Sequence, residues 1–356
     1  MKPSADRFTA FAVRRNVPMR NCKGEQSGFV LVLTLWILVV VAIAAGYFSE
    51  RVALSVDLAQ QSRQNTQALI DMASSRAEIL YRLGTYSMTE YGLGRGGTAI
   101  ALDNRAYQGI GKTTVYLQDT RGLLNLNLTD DERLQRFLGV MGVAPDQRST
   151  MVDTLRDYID ADKLRRLNGA EDDEYRALNL PTPSNRELVT PWEAQRIIGW
   201  RDQSQLWQNG KLASLTTTGL SLGINPNTAP AEVLATLPGV SEEIAQIIMA
   251  RRKLVPFTYE GQITQITGVP LNLPMGMGVI AVPSDTVRIT QSGQGLAWAT
   301  QYIIKVTPNS KDAPWRTDYY SRVSAPAQAP DVTPQALPAR SDATPDNAPN
   351  FLLGGN

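Results

Sequence analysis

Asp160, Asp162 and Glu171 fall at relative positions 1, 3 and 12 of a loop with EF-hand-like spacing. That spacing suits a hard cation, because carboxylates at alternating positions and a closing glutamate converge on one point. Leu164 at position 5 and Arg165 at position 6 break the pattern, where an oxygen ligand and a glycine are required. A regular EF-hand is therefore excluded. The acidic run also holds Asp153, Asp157, Asp172, Asp173 and Glu174, and the ordinary use of such a run is a solvated face paired with Arg156, Arg165 and Arg166.

The chain of 356 residues contains no histidine, which removes every Ser-His, Cys-His and His-metal arrangement at once. Cys22 is the one cysteine, so no internal disulfide forms. With 35 basic and 34 acidic residues, bulk charge gives no reason to bind nucleic acid. The composition speaks against an enzyme. A membrane-tethered hydrolase would need a histidine-free site such as a Ser-Lys pair.

A second stretch, Ile224–Arg252, resembles a helix-hairpin-helix, with Leu237-Pro238-Gly239-Val240 as the hairpin. This supports an alternative reading as a membrane-anchored DNA-binding or uptake protein. The usual second glycine is replaced by Ser241, and Glu242 and Glu243 follow it at the helix N-terminus, where a phosphate would sit. The hairpin therefore reads as a packing unit, and no nucleic acid is expected.

The element that carries these groups begins with Phe29–Phe48, an uncharged run of about 20 residues, enough to cross a hydrocarbon core of about 30 Å. Lys2, Arg7, Arg14, Arg15, Arg20 and Lys23 precede it against Asp6 and Glu25, which predicts a cytoplasmic N-terminus. Helical spacing continues through Val52, Val56, Ala59, Thr66, Ile70, Ala73, Ala77 and Leu80, and predicts an assembly stripe on one helix that runs to about residue 83. Strand-like runs follow at Thr113–Asp119, Leu123–Leu128, Val287–Gln291, Trp298–Thr307 and Trp315–Val323. The region between them is helical in texture, at Asp130–Met141, Pro145–Asp162, Pro191–Ile198, Ala229–Leu237 and Ser241–Lys253. Strand-poor sequence between strand-rich flanks predicts an α+β fold with a helical insertion.

A basic leader, then glycine, then phenylalanine opening an apolar helix, is similar to the prepilin-peptidase site of type IV pilins and type II secretion pseudopilins. That resemblance implies cleavage between Gly28 and Phe29 and N-methylation of Phe29. A leader of 28 residues is long for these proteins, and a start at Met19 would shorten it to ten. The fifth residue after the cut is Leu33, where most pilins carry a glutamate that pairs with a neighbour. A subunit with nothing stacked above it would leave that charge uncompensated in lipid, and leucine removes the cost.

The segments Asp119–Asn127, Leu155–Tyr175, Asn185–Leu188 and Ile224–Pro238 resemble, in the same order, those of the K-type minor pseudopilins (general secretion pathway protein K). The resemblance covers about residues 28 to 323 and implies a type IV pilin-like fold, a long N-terminal helix packed on a small antiparallel sheet with a large inserted α-helical domain. The expected organisation is a leader at 1–28, a transmembrane half-helix at 29–48 and a periplasmic half at 49–84. A pilin-like core then occupies 85–128 and 281–323, and the insertion 129–280 contains the hairpin-like segment 224–253. Residues 324–356, rich in proline and alanine, are expected to be a disordered tail. The family role is a tip subunit that caps the periplasmic pseudopilus and helps initiate its assembly for export of folded proteins. The implied partners are I- and J-type minor pseudopilins, the major pseudopilin, prepilin peptidase, the inner-membrane assembly platform and the secreted substrate. The resemblance also implies calcium, with Asp160, Asp162 and Glu171 as candidate ligands that the sequence alone does not arrange.

Overall fold

The computed structural model describes residues 27–271, 273, 278–325 and 333–339. Residues 1–26 of the expected leader, with Met19 and Cys22, lie outside them. The helices are α1 (Ser27–Thr85), α2 (Asp131–Val140), α3 (Pro145–Ile159), α4 (Asp172–Ala177), α5 (Ser204–Trp207), α6 (Lys211–Leu215), α7 (Ala231–Leu234), α8 (Glu242–Arg252) and α9 (Gly261–Thr267). The strands are β1 (Met88–Thr89), β2 (Gly92–Leu93), β3 (Asp103–Gln108), β4 (Thr113–Asp119), β5 (Leu124–Asn125), β6 (Thr216–Thr217), β7 (Thr286–Gly293), β8 (Trp298–Val306), β9 (Trp315–Ser324) and β10 (Gln335–Ala336).

The chain divides into two units, Met1–Ser62 and Arg63–Asn356. In the first, every described side chain from Phe29 onward is exposed. Its apolar window has a mean hydropathy of 2.9, so α1 is long and apolar enough to cross a membrane. Exposure of so much apolar surface is stable only in lipid or against other helices.

In the second unit, α1 buries Ala68, Met72, Ser75, Ile79 and Leu83, spaced by three and four, against a sheet. This is a different side of the helix from the stripe read in the sequence. Ile70, Ala73 and Ala77 stay exposed, while Leu80, at the edge of that stripe, is buried in the sheet core. The sheet order is β10-β3-β4-β7-β8-β9, antiparallel except where β10 joins β3 in parallel. Val115, Leu117, Val287, Ile289 and Ile304 complete this core with α1.

The expected α+β architecture of long helix, sheet and further helices is present. β4 and β7 are neighbours in continuous register from Thr113 opposite Gly293 to Asp119 opposite Val287. The chain thus leaves the sheet at Asp119 and re-enters it at Thr286. The region between builds its own core around Phe137, Leu155, Tyr158, Tyr175, Trp200 and Ile248.

Three local expectations need correction. Leu123–Leu128 is not one strand; only Leu124–Asn125 pairs, with β6, because the Asn125 and Asn127 side chains capture the neighbouring backbone. The helix expected over Ala229–Leu237 shrinks to α7, with Pro230 as its N-cap and Pro238 beyond it. The tail expected to be disordered contributes β10, paired as Gln335 with Tyr107 and Ala336 with Gln108. Leu337 packs against the sheet core, and burial of that side chain offsets part of the entropy of ordering the segment. Residues 326–332 and 340–356 of that tail lie outside the described residues.

Candidate functional site

The inserted region is fastened to the sheet by buried polar side chains. Asp119, at the end of β4, is fully buried, and its Oδ1 accepts from Arg121 N–H (3.0 Å), Ser284 N–H (2.9 Å) and Ser284 Oγ (2.8 Å). Its Oδ2 accepts from Asn225 Nδ2 (3.0 Å) and Thr228 Oγ1 (2.9 Å). One carboxylate therefore joins four residues from three chain segments. Asn127 donates to the carbonyls of Leu188 and Thr218 and accepts from Leu188 N–H. Asn227 links the Phe257 and Ala281 carbonyls and accepts from Phe257 N–H. The asparagines of the NLN and NPN segments are thus backbone staples, each substituting side-chain bonds for a missing ladder.

The acidic loop begins where α3 stops. Asp160 is the C-cap, and its extended backbone (φ −75°, ψ 165°) turns the chain out of the helix. The loop closes at Glu171, the N-cap of α4, whose N–H donates to Glu174 Oε2 (3.0 Å). Asp157, fully buried one turn before the loop, accepts from Arg166 N–H through both oxygens (3.3 and 3.1 Å). Gly169 makes this possible, since a Cβ there would lie 1.9 Å from Asp157 Oδ2.

Many carboxylates of the run are paired. Arg156 and Arg166 bracket Asp131 (2.8 and 3.0 Å), Arg165 holds Glu174 (2.6 Å), and Lys163 and Arg176 meet Asp172 (3.2 and 2.9 Å). These exposed pairs are the solvated face that the sequence suggested. Glu171 and Asp160 differ. Asp160 Oδ1 and Asn185 Oδ1 are buried without a hydrogen-bond partner, and the Glu171 carboxylate, equally buried, has no contact beyond its capping box with Glu174. Asn185 reaches the loop through Nδ2 to the Asp162 carbonyl (3.4 Å) and has a left-handed backbone (φ 47°).

The electrostatics follow from that geometry. Burial, then the neighbouring charges of Asp157, Asp160, Asp172 and Asp162, pushes Glu171 up to about 7. Burial also raises Asp157 and Asp160, with the Asp162 charge adding to the rise at Asp160. A set of unpartnered carboxylate and amide oxygens is the donor chemistry a hard cation takes. Asp162 stands apart: it is exposed, and its Oδ1 accepts from Leu164 N–H (2.7 Å). Among the described residues no three His, Cys, Asp or Glu side chains are grouped closely enough to form a metal site by themselves. Asp160, Asn185 and, outside its capping box, Glu171 are the residues of this region with buried oxygens lacking a partner, and Asn185 is one that sequence spacing did not suggest. Its position in the NREL segment was legible, but its oxygen was not.

The hairpin near Gly239 packs through its apolar side chains, while Gly239 itself is exposed. Leu237 and Val240 are buried, and a Cβ at Gly239 would meet Val269 at 2.9 Å. Ser241 Oγ accepts from Ile244 N–H (3.3 Å) and donates to Glu243 (2.7 Å), which places a carboxylate at the N-terminus of α8. Ser27, Gly28 and Phe29 lie in the first turn of α1, and Leu33 is half exposed one turn further on.

Two family models, each described as "Type II secretion system (T2SS), protein K", match residues 117–207 and 224–270. The curated "Type II secretion system protein K" of Dickeya chrysanthemi is 27% identical over 121 residues, 33% of this chain. The match spans about a third (33%) of that relative's length. A crystal structure of the GspK-GspI-GspJ complex from the type 2 secretion system of enterotoxigenic Escherichia coli aligns at a TM-score of 0.48 and 16% identity, over 75% of this chain and 99% of that one.

One helix is long and apolar enough to cross a membrane, and in the second unit a helical region is inserted between the adjacent strands β4 and β7. Both family models fall on the inserted region and its junction with β4. Over residues 117–207 and 224–270 the chain is thus similar to type II secretion system protein K.

Proposed function

We propose that this chain is a minor pseudopilin that caps the tip of the pseudopilus and helps initiate its assembly for export of folded proteins across the outer membrane. The observation that carries this reading is the match of two protein K models to consecutive stretches of the inserted region. In this reading the leader 1–28 is cytoplasmic and is cut between Gly28 and Phe29, and Phe29 is then N-methylated. Residues 29–48 span the inner membrane, and the head faces the periplasm. Leu33 in place of a carboxylate suits a subunit with no neighbour above it. Its partners are I- and J-type minor pseudopilins, the major pseudopilin, prepilin peptidase and the assembly platform, with the secreted protein as a further contact. The role is mechanical and involves no covalent chemistry. The acidic loop takes a calcium ion, held by Glu171 and Asp160 with the Asn185 amide oxygen, which fixes the loop between α3 and α4.

Co-expression of the full chain with its I- and J-type subunits, extraction in detergent and co-purification tests the assembly. A stoichiometric complex is expected, and the absence of any complex would refute the tip role. A nucleic-acid role would instead give salt-sensitive retention of DNA by the purified chain.

A further inference from the structure

We propose that the cleft between the glycine-rich turn at residues 92–97 and the end of α8 binds one oxyanion, a phosphate or carboxylate group. The cleft encloses about 210 Å³, and Glu90, Gly96, Gly97, Arg105, Arg252 and Lys253 are among its walls. That volume is below the range of about 300–1,000 Å³ typical of drug-sized ligands, and suits a single charged group.

Arg252 carries the inference. Its side chain is only 6% exposed, yet its Nε is buried with no partner. Nη1 donates to the carbonyls of Pro226 (2.9 Å) and Ala229 (2.5 Å), while Nη2 lies 3.9 Å from Asp103 Oδ2. That separation is too long for a hydrogen bond, and Arg105 Nε and Nη2 draw on the same carboxylate at 2.8 and 2.7 Å. Two guanidinium groups thus share one carboxylate. Lys253 adds a third cation to the wall and Glu90 a second acid, which leaves an excess of one positive charge (three cations, two acids). A buried cation with an unsatisfied N–H marks a place where an ion or water belongs, and an anion removes both deficits together.

The opposite wall is built for close approach. Gly92, Gly96 and Gly97 line the cleft, and Gly92 and Gly96 have φ values of +117° and +57°, so the turn brings this wall up without side chains. Successive peptide groups in such turns form concavities that favour anions. No nucleotide or sugar is required by this geometry. The fitting ligands are inorganic phosphate or a phosphate ester, and the carboxylate of an acidic residue presented by another chain.

Calorimetric titration of the full chain in detergent, with inorganic phosphate in one arm and N-acetylglutamate in the other, tests the site. Saturable binding with a Kd of about 1–10 mM is expected for at least one probe. Phosphate binding alone assigns a phosphate-type ligand, and competition between the probes assigns the carboxylate as well. Gly97→Glu is the decisive variant, since a Cβ at Gly97 meets open space and the new carboxylate can occupy the cleft itself. It should weaken binding by at least about tenfold while leaving the thermal midpoint unchanged or raised. Lys253→Gln should weaken binding a few fold. Lack of saturable binding of both probes up to about 50 mM, or wild-type binding by Gly97→Glu, overturns the proposal.

Discussion

Asp119→Ala removes the acceptor that ties the inserted region to the sheet, and its cost can be counted from the bonds. Three N–H donors lose their partner: Arg121 N, Ser284 N and Asn225 Nδ2. The two hydroxyls are less affected, because Ser284 Oγ can donate instead to the Thr286 carbonyl (2.9 Å) and Thr228 Oγ1 to the Asn225 carbonyl (3.4 Å). Each orphaned buried donor costs about 1–3 kcal/mol, so the variant should lose about 3–9 kcal/mol, less whatever an entering water recovers. Thermal unfolding of the full chain in detergent should show a midpoint lower by roughly 10 °C. Because the two hydrophobic cores lose a shared polar anchor, the transition should also broaden or split. Asp119→Asn keeps one oxygen but turns an amide N–H₂ toward donors, and should recover only part of the loss. A loss below about 1 kcal/mol for the alanine variant would refute the account of Asp119 as the junction lock.

At the acidic loop, proton and cation compete for Glu171. Its folded-state value of about 7 lies above the ordinary glutamate value, so the folded protein holds the proton more tightly than the unfolded chain. Without calcium, the contribution of this group to stability should therefore be fully present below about pH 4.5 and fall by up to about 3 kcal/mol as the pH rises to 7. Calcium at pH 7–8 should restore the midpoint, and Glu171→Gln should lose both the pH slope from this group and the calcium increment, as read by melts with calcium or chelator. Persistence of both effects in the variant would place the cation elsewhere. Gly169→Ala drives a methyl to within 1.9 Å of Asp157 Oδ2. It should cost about 1–3 kcal/mol by displacing the loop from the Arg166 N–H. An unchanged denaturation midpoint would mean that the loop yields freely.

Several elements were legible because their cause is local. The strands at 113–119, 286–293, 298–306 and 315–324 follow from runs of β-branched and aromatic residues, and α8 follows from Ser241 as cap and helical spacing behind it. β3 was missed because Asp103-Asn104-Arg105 reads as a turn. It pairs only because β4 lies beside it, with a bulge between Asp103 and Ala106. The acidic loop was recognised as candidate cation chemistry from residue type. Which oxygens are left without partners depends on Asn185, supplied by another segment.

The sequence by itself determined the membrane-length helix, the α+β class and the helical insertion. Hydrophobic run length and periodicity are properties of a segment, and transfer free energy acts on them whatever the segment touches. Only the tertiary structure decided which side of α1 meets the sheet, where Asp119 finds its donors, and why Glu171 is stripped of water and partners. Those outcomes depend on groups far apart in sequence, such as Asp119 with Ser284. Burial of a charge or a polar atom is fixed only when all the surrounding segments arrive.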